Sequence, residues 1–356
     1  MKNSLKMLLA ATSVCGMMTA NAQQVIRPAG GDVDELRVRG RVQAQFGYVD
    51  ASNDEGSSDY STFEIRRARI GLRGTFNRVY RAEVEANVVP GSSLSVSSAY
   101  LQWREHKPAF VTVGYVKPLT SLEENTSSAS ILTVERSLIN NTVAAPGETT
   151  GLLIEGDLGT LFYGIGIFND QEGTNTANEK VRYLFNARVG LNLDGVAGEN
   201  SKLRIMGSFA TTDDEEGVLQ TEDLFVASVH FAQGAFDLRA EYFRGETGDD
   251  VTSGFYIMPS FMLSSNLQGV LRYEMSDSDK STGLRAASRY VRRAEGLAES
   301  GTQRGDEHWA LYLGLNYYIK GDGNKLMFGV EFAELDNTSA GTLESTSVFT
   351  AWRTLF

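Results

Sequence analysis

Residues 36–49 read LRVRGRVQAQFGYV. Leu36, Val38, Val42, Ala44, Phe46 and Tyr48 share one parity, with Gly40 among them, and Arg37, Arg39, Arg41, Gln43 and Gln45 share the other. Successive side chains of a strand point to opposite faces, so this stretch is a strand with an apolar face and a basic, polar face. A soluble antiparallel strand alternates too, with its polar face turned to outside water. The rest of the chain decides which face looks outward.

The pattern recurs. In residues 78–89, Tyr80, Ala82, Val84, Ala86 and Val88 oppose Arg81, Glu83, Glu85 and Asn87. Residues 181–193, 309–319 and 325–332 repeat it, and 345–356 alternates up to the terminal Phe356, an aromatic on the outward parity. Runs of about ten residues suit a tilted strand that crosses a bilayer. In residues 62–76 the apolar parity switches between Ile65 and Ala68, which a bulge near Arg66-Arg67 reconciles. In residues 253–263 both parities are apolar around Pro259, so its faces stay unassigned, with a protein–protein interface as one reading.

Short connections are expected near 77–78, 105–108, 157–160, 194–201, 233–234, 264–266 and 320–324. Long acidic or Ser/Gly-rich ones are expected at 50–61, 169–180, 212–222, 245–253, 276–307 and 336–343. Short turns alternating with long loops describe an up-and-down antiparallel barrel with two unlike ends, and the strand count is 16.

The chain's 356 residues divide into a signal peptide (1–22), a short periplasmic linker (23–35) and a transmembrane β-barrel (36–356). Lys2 and Lys6, the apolar run 7–18 and Ala20-Asn21-Ala22 form the n-region, core and cleavage site of an export signal. Cys15 lies inside it, and Thr12 and Val14 do not supply a lipoprotein motif. The mature part therefore has no cysteine and no disulfide framework. Its formal charge falls from −12 to −14 when Lys2 and Lys6 leave, which argues against nucleic acid as a partner.

Three stretches resemble the phosphate-selective porin O and P family: FEIRRARIGLRG (63–74), GYVKPLTSLEENTSSASILTVERSLIN (114–140) and ALYLGLNYYI (310–319). The resemblance implies a 16-stranded outer-membrane porin, a homotrimer, with its third loop folded into the lumen over residues 117–147. Residues 117–147 also carry Leu119, Leu122, Ile131, Leu132, Val134, Leu138 and Ile139, more apolar side chains than a solvated loop needs. A loop folded over the barrel mouth or a subunit contact is the competing reading.

With the apolar parity in lipid, Arg37, Arg39, Arg41, Arg69, Arg73, Arg81, Arg182 and Arg188 point inward as candidate pore-lining groups. Guanidinium is always charged and offers planar paired donors to anions. Two readings stand for them: a row of weak anion sites, or arginines paired with Glu64, Glu83 and Glu85 that stiffen the wall. The candidate constriction loop holds Lys117 and Arg136 against Glu123, Glu124, Glu135 and Glu148. That balance fits a general or mildly anion-biased pore for small polar solutes better than a phosphate trap. Residues 284–299, with Arg285, Arg289, Arg292 and Arg293, read either as a basic helix that gathers anions at the mouth or as a solvated loop face.

No cofactor, metal site or catalytic set is expected. His106, His230 and His308 lie in separate segments, and no serine motif marks a nucleophile. Residues 23–35 are too few for a plug domain. The alternative function is a structural or adhesive outer-membrane barrel without an open pore.

Overall fold

The computed structural model describes residues 24–26, 33–54, 56–170, 182–212, 217–286, 290–294, 304–337 and 341–356. The expected signal peptide lies outside them. Among the described residues sixteen antiparallel strands close into one ring. They are β1 (Val33–Asn53), β2 (Gly56–Phe76), β3 (Tyr80–Asn87), β4 (Ser95–His106), β5 (Ala109–Val116), β6 (Thr149–Asp157), β7 (Leu161–Asn169) and β8 (Tyr183–Asn192). The second half comprises β9 (Lys202–Thr211), β10 (Asp223–Gln233), β11 (Phe236–Thr247), β12 (Asp250–Met262), β13 (Leu267–Ser278), β14 (Glu307–Tyr318), β15 (Asn324–Asn337) and β16 (Gly341–Leu355).

β16 pairs back onto β1, from Glu344 opposite Ser52 to Leu355 opposite Arg41. Closure removes the unpaired edges that lipid does not tolerate. Below that seam Gln24–Ile26 pairs with β1, Gln24 opposite Val38, and β1 itself begins at Val33. The outward parity is the apolar one: Leu101 is 68% exposed, and Ile70, Leu72, Val84, Val113, Ile165, Val189 and Leu313 are exposed with it. Exposed aromatics mark both ends of this band, Tyr80, Phe261 and Tyr317 towards the short turns and Tyr183, Tyr242 and Trp309 towards the loops.

The bulge falls where the parity switches. Gln43 faces Arg67 and Ala44 faces Ile65, which leaves Arg66 as the extra residue. β12 is apolar on both faces because both are covered: Phe255, Ile257 and Phe261 face outward, while Tyr256 and Met258 are buried inside the ring. Three of the expected long loops are instead hairpins, one of them 336–343, where β15 and β16 pair up to Asn337 opposite Gly341. β1 and β2 run on to Asn53 and from Gly56, and β11 and β12 join through a turn at Gly248 (φ 56°). Both faces of the β1–β2 tip are polar, so the alternation that betrays a strand in lipid is missing there although the ladder continues.

Candidate channel and constriction

The 32 residues between β5 and β6, 117–148, include two short helices, α1 (Leu122–Asn125) and α2 (Leu138–Val143). Ser121 and Ser137 cap them, accepting from the backbone N–H groups of Glu124 and Asn140. Wall carboxylates take further free N–H groups at these helix starts. Glu241 of β11 accepts from Leu122 N (2.6 Å) and Glu123 N (2.8 Å), and Glu274 of β13 accepts from Leu138 N (3.2 Å). Wall cations take the carbonyls between the helices. Lys325 and Arg353 donate to Ile131 O (3.1 and 3.2 Å), Arg353 also to Val134 O (3.1 Å), and Arg272 to Glu135 O (3.0 Å). Arg41 of β1 donates to Ser128 Oγ (2.6 Å), and Asn186 of β8 to Leu119 O (3.1 Å). A segment bonded to β1, β8, β11, β13, β15 and β16 lies inside the ring.

Its apolar side chains divide between two buried clusters. Leu119, Leu132, Ile139 and Val143 pack with Tyr256, Met258 and Val270, and Val134 and Leu138 pack with Tyr312, Met327 and Phe349. Its acidic groups also find protein partners. Glu123 accepts from Ser137 Oγ (2.5 Å) and lies 3.6 Å from Arg272. Glu124 meets Lys117, Arg136 (3.5 Å) and Asn140 (2.9 Å). Glu135 is held by Arg66 (2.8 Å) and Gln45 (3.1 Å). Burial opposes the Glu135 charge, but Arg66 and Arg67 outweigh it and hold the carboxyl well below the usual carboxylate range.

Strand β1 records how far the lumen is filled. Arg37 and Arg39 have side chains 38% and 29% exposed, Arg41 has 14%, and Gln43 and Gln45 are each 2% exposed residues. The arginine faces are paired at the wall: Arg39 with Glu83 (3.0 Å), Arg41 (3.1 Å) and Arg69 (3.0 Å) with Glu85, and Arg73 with Glu83.

A family model described as phosphate-selective porin O and P matches residues 36–353. This chain belongs to that family of porins. The porin therefore forms a channel in the bacterial outer membrane, and its family and fold favour an open pore over a closed structural barrel and indicate a channel rather than an enzyme. Solved porins share its fold. An anion-selective porin from Comamonas acidovorans is 13% identical, with 90% of this chain and 99% of that chain covered at a TM-score of 0.64. Salmonella typhi OmpF in complex with daunomycin is 12% identical, covered over 93% and 100%, with a TM-score of 0.61. OmpT of Vibrio cholerae in its trimer form is 8% identical, covered over 94% and 100%, with a TM-score of 0.53. A search of curated protein sequences finds no match.

Within the porin, the sequence-derived residues do not form one site. Arg39, Arg41, Arg69 and Arg73 gather on β1 and β2 against Glu83 and Glu85 of β3, with Arg37 on Glu35 and Arg81 opposite Gln102 beside them. Arg188 lies on β8 away from this group and serves the loop, donating to Ser121 O (3.3 Å) and Asn125. Arg182 stands just before β8, its carbonyl accepting from Asp170 N (2.9 Å). Lys117, Glu123, Glu124, Glu135 and Arg136 all belong to the inward loop and bond mainly within it or to the wall. The wall anchors Arg272, Lys325, Arg353, Glu241 and Glu274 escaped the sequence reading. Their signal was inward-parity charge of both signs on β11, β13, β15 and β16.

Proposed function

We propose that this porin passes small anions and polar solutes by passive diffusion with a weak anion bias, and that it works as a homotrimer. The observation that carries the bias is the charge left over on one wall. Arg37, Arg39, Arg41, Arg69, Arg73 and Arg81 stand with three carboxylates, Glu35, Glu83 and Glu85, while Glu123, Glu124 and Glu135 of the inward loop are held by protein partners. An excess of guanidinium along a water-filled wall lowers the barrier to anions, and each paired arginine binds weakly enough to release them. The anion-selective Comamonas acidovorans relative supports this reading.

For the trimer, the support is the trimer form of the OmpT relative. Sizing of the purified protein in detergent tests the assembly, and a monomer would refute it.

The reversal potential of the purified protein in a planar bilayer under a salt gradient tests the bias. Anion preference that falls when Arg37, Arg39 and Arg41 are replaced by Gln is the expected result. Cation preference in the wild type would sink the proposal.

A further inference from the structure

The inner face of β1 above Arg41 poses a problem for a channel wall. Val49 and Ala51 point inward yet are 0% and 1% exposed, and Phe349 of β16, opposite Gly47 of β1, is 1% exposed. An apolar inner wall is stable only where something other than water covers it. The cover comes partly from the constriction loop and partly from the connection between β13 and β14, the seventh on the loop end.

Of that connection, residues 279–286, 290–294 and 304–306 are described. Leu284, Ala286, Tyr290, Val291 and Ala294 are buried, and all but Ala294 belong to the same apolar cluster as Val134 and Leu138 of the constriction loop. Tyr290 goes deepest. It is 0% exposed, and its ring lies 5.8 Å from Phe349 and 6.5 Å from Tyr60. The ring rests on Gly47, where an added Cβ would come within 2.6 Å of Tyr290 Cζ. Its hydroxyl donates to Glu64 Oε1 (2.6 Å) and accepts from Gln45 Nε2 (2.7 Å). Arg293 adds an ion pair to the same Glu64 at 3.6 Å. Gln45 also donates to Glu135 Oε1 (3.1 Å), so a single amide joins Tyr290 to the constriction loop.

We propose that Tyr290 is a size-selecting residue: with the buried residues around it, it forms a second constriction on the outer side of the third loop, and solutes meet the two in series. The proposal rests on the lumen being open, which the conductance of the wild type checks separately. Tyr290 occupies lumen cross-section directly over β1, β2 and β16, the wall that carries the arginines lower down. It therefore limits what reaches that wall. Through Gln45 it also steadies Glu135, so the two constrictions share one hydrogen-bond chain.

Two variants approach the contact from opposite sides. Tyr290→Ala removes the ring and opens the passage, whereas Gly47→Ala drives the ring off the wall into the lumen and narrows it. Tyr290→Ala is expected to raise unitary conductance by about 1.5-fold and to admit larger neutral sugars in liposome swelling, and Gly47→Ala to lower both conductance and sugar cut-off, because resistance in series follows its narrowest point. If Tyr290→Ala yields no folded barrel, Gly47→Ala alone decides. A folded Tyr290→Ala barrel with wild-type or lower conductance, or a folded Gly47→Ala barrel with wild-type or higher conductance, would overturn the second constriction while leaving the channel intact. A silent wild type would strike down the channel reading and this proposal with it.

Discussion

Arg272 is 2% exposed and stands among three carboxylates, Glu331 at 3.1 Å, Glu274 at 3.3 Å and Glu123 at 3.6 Å. Two of these are on the wall and one on the inward loop, so the guanidinium is the counter-charge that lets the loop lie against β13. Removing one member of a buried charge cluster leaves the others uncompensated, a cost of about 3–5 kcal/mol. Arg272→Met should therefore lower the temperature at which the folded barrel loses its heat-modifiable mobility on gels, and an unchanged transition would count against this role. Glu135 makes a second, pH-dependent anchor. Its carboxyl is held below the ordinary value of 4.5 despite burial, because Arg66 and Arg67 favour the charged form. A depressed carboxylate contributes fully above its unfolded value and is lost as pH falls through its lower folded value. The loop should thus stay fixed at neutral pH and loosen only well below pH 4.5. Glu135→Gln should reproduce at pH 7 the noisier open-channel current of the wild type in acid. Quiet current in the variant would remove Glu135 from the anchor.

Elements show which parts of the fold were legible and why. Wherever one face meets hydrocarbon, alternation is forced, and β1, β3 and β8 could be read directly. The bulge at Arg66 was legible for the same reason, since one extra residue is the only way Phe63, Ile65, Ile70 and Leu72 all face lipid. Legibility ended where that constraint ended. The tip at Ser52 to Asp59 is polar on both faces, and Tyr256 and Met258 are apolar on an inner face that the inward loop covers. The inward course of the loop was signalled by its apolar content, but its anchors were not, because a charged residue on the inward parity looks the same whether it meets water or a backbone amide. The seam between β16 and β1 offers an element-scale test. Gly40 exchanges hydrogen bonds with Phe356 (2.7 and 3.0 Å), and a Cβ on Gly40 would lie 2.2 Å from the Phe356 ring. Gly40→Val should displace that ring and destabilise the closed ring by about 1–3 kcal/mol, as overpacking does. The thermal midpoint of the gel mobility shift measures it, and an unaltered midpoint would show the seam to be tolerant.

At the scale of the whole molecule the chain is acidic, with a formal charge of −12, yet the channel reading rests on a basic wall. The two coexist because charge acts locally. In 0.1 M salt the Debye length is about 10 Å and in 1 M about 3 Å, so a solute inside the lumen responds to the wall beside it and hardly to acidic loop surfaces further off. Counting the glutamates of the constriction loop in sequence gives a mixed-charge passage. In the folded chain Glu123, Glu124 and Glu135 are bonded to Ser137, Lys117, Asn140 and Arg66, and the partly exposed Arg37 and Arg39 weigh more on a passing ion. This predicts how selectivity changes with salt. Because the wall pairs are partly solvated, their field is screened as ionic strength rises. The anion-to-cation permeability ratio should be largest in dilute salt and fall towards unity near 1 M. In the Arg37, Arg39 and Arg41 to Gln variant the ratio should be low and nearly flat over the same range. A wild-type ratio that ignores salt would mean selection by dry, desolvated contacts at the narrowest point, and the solvated arginine wall would then have no part in it.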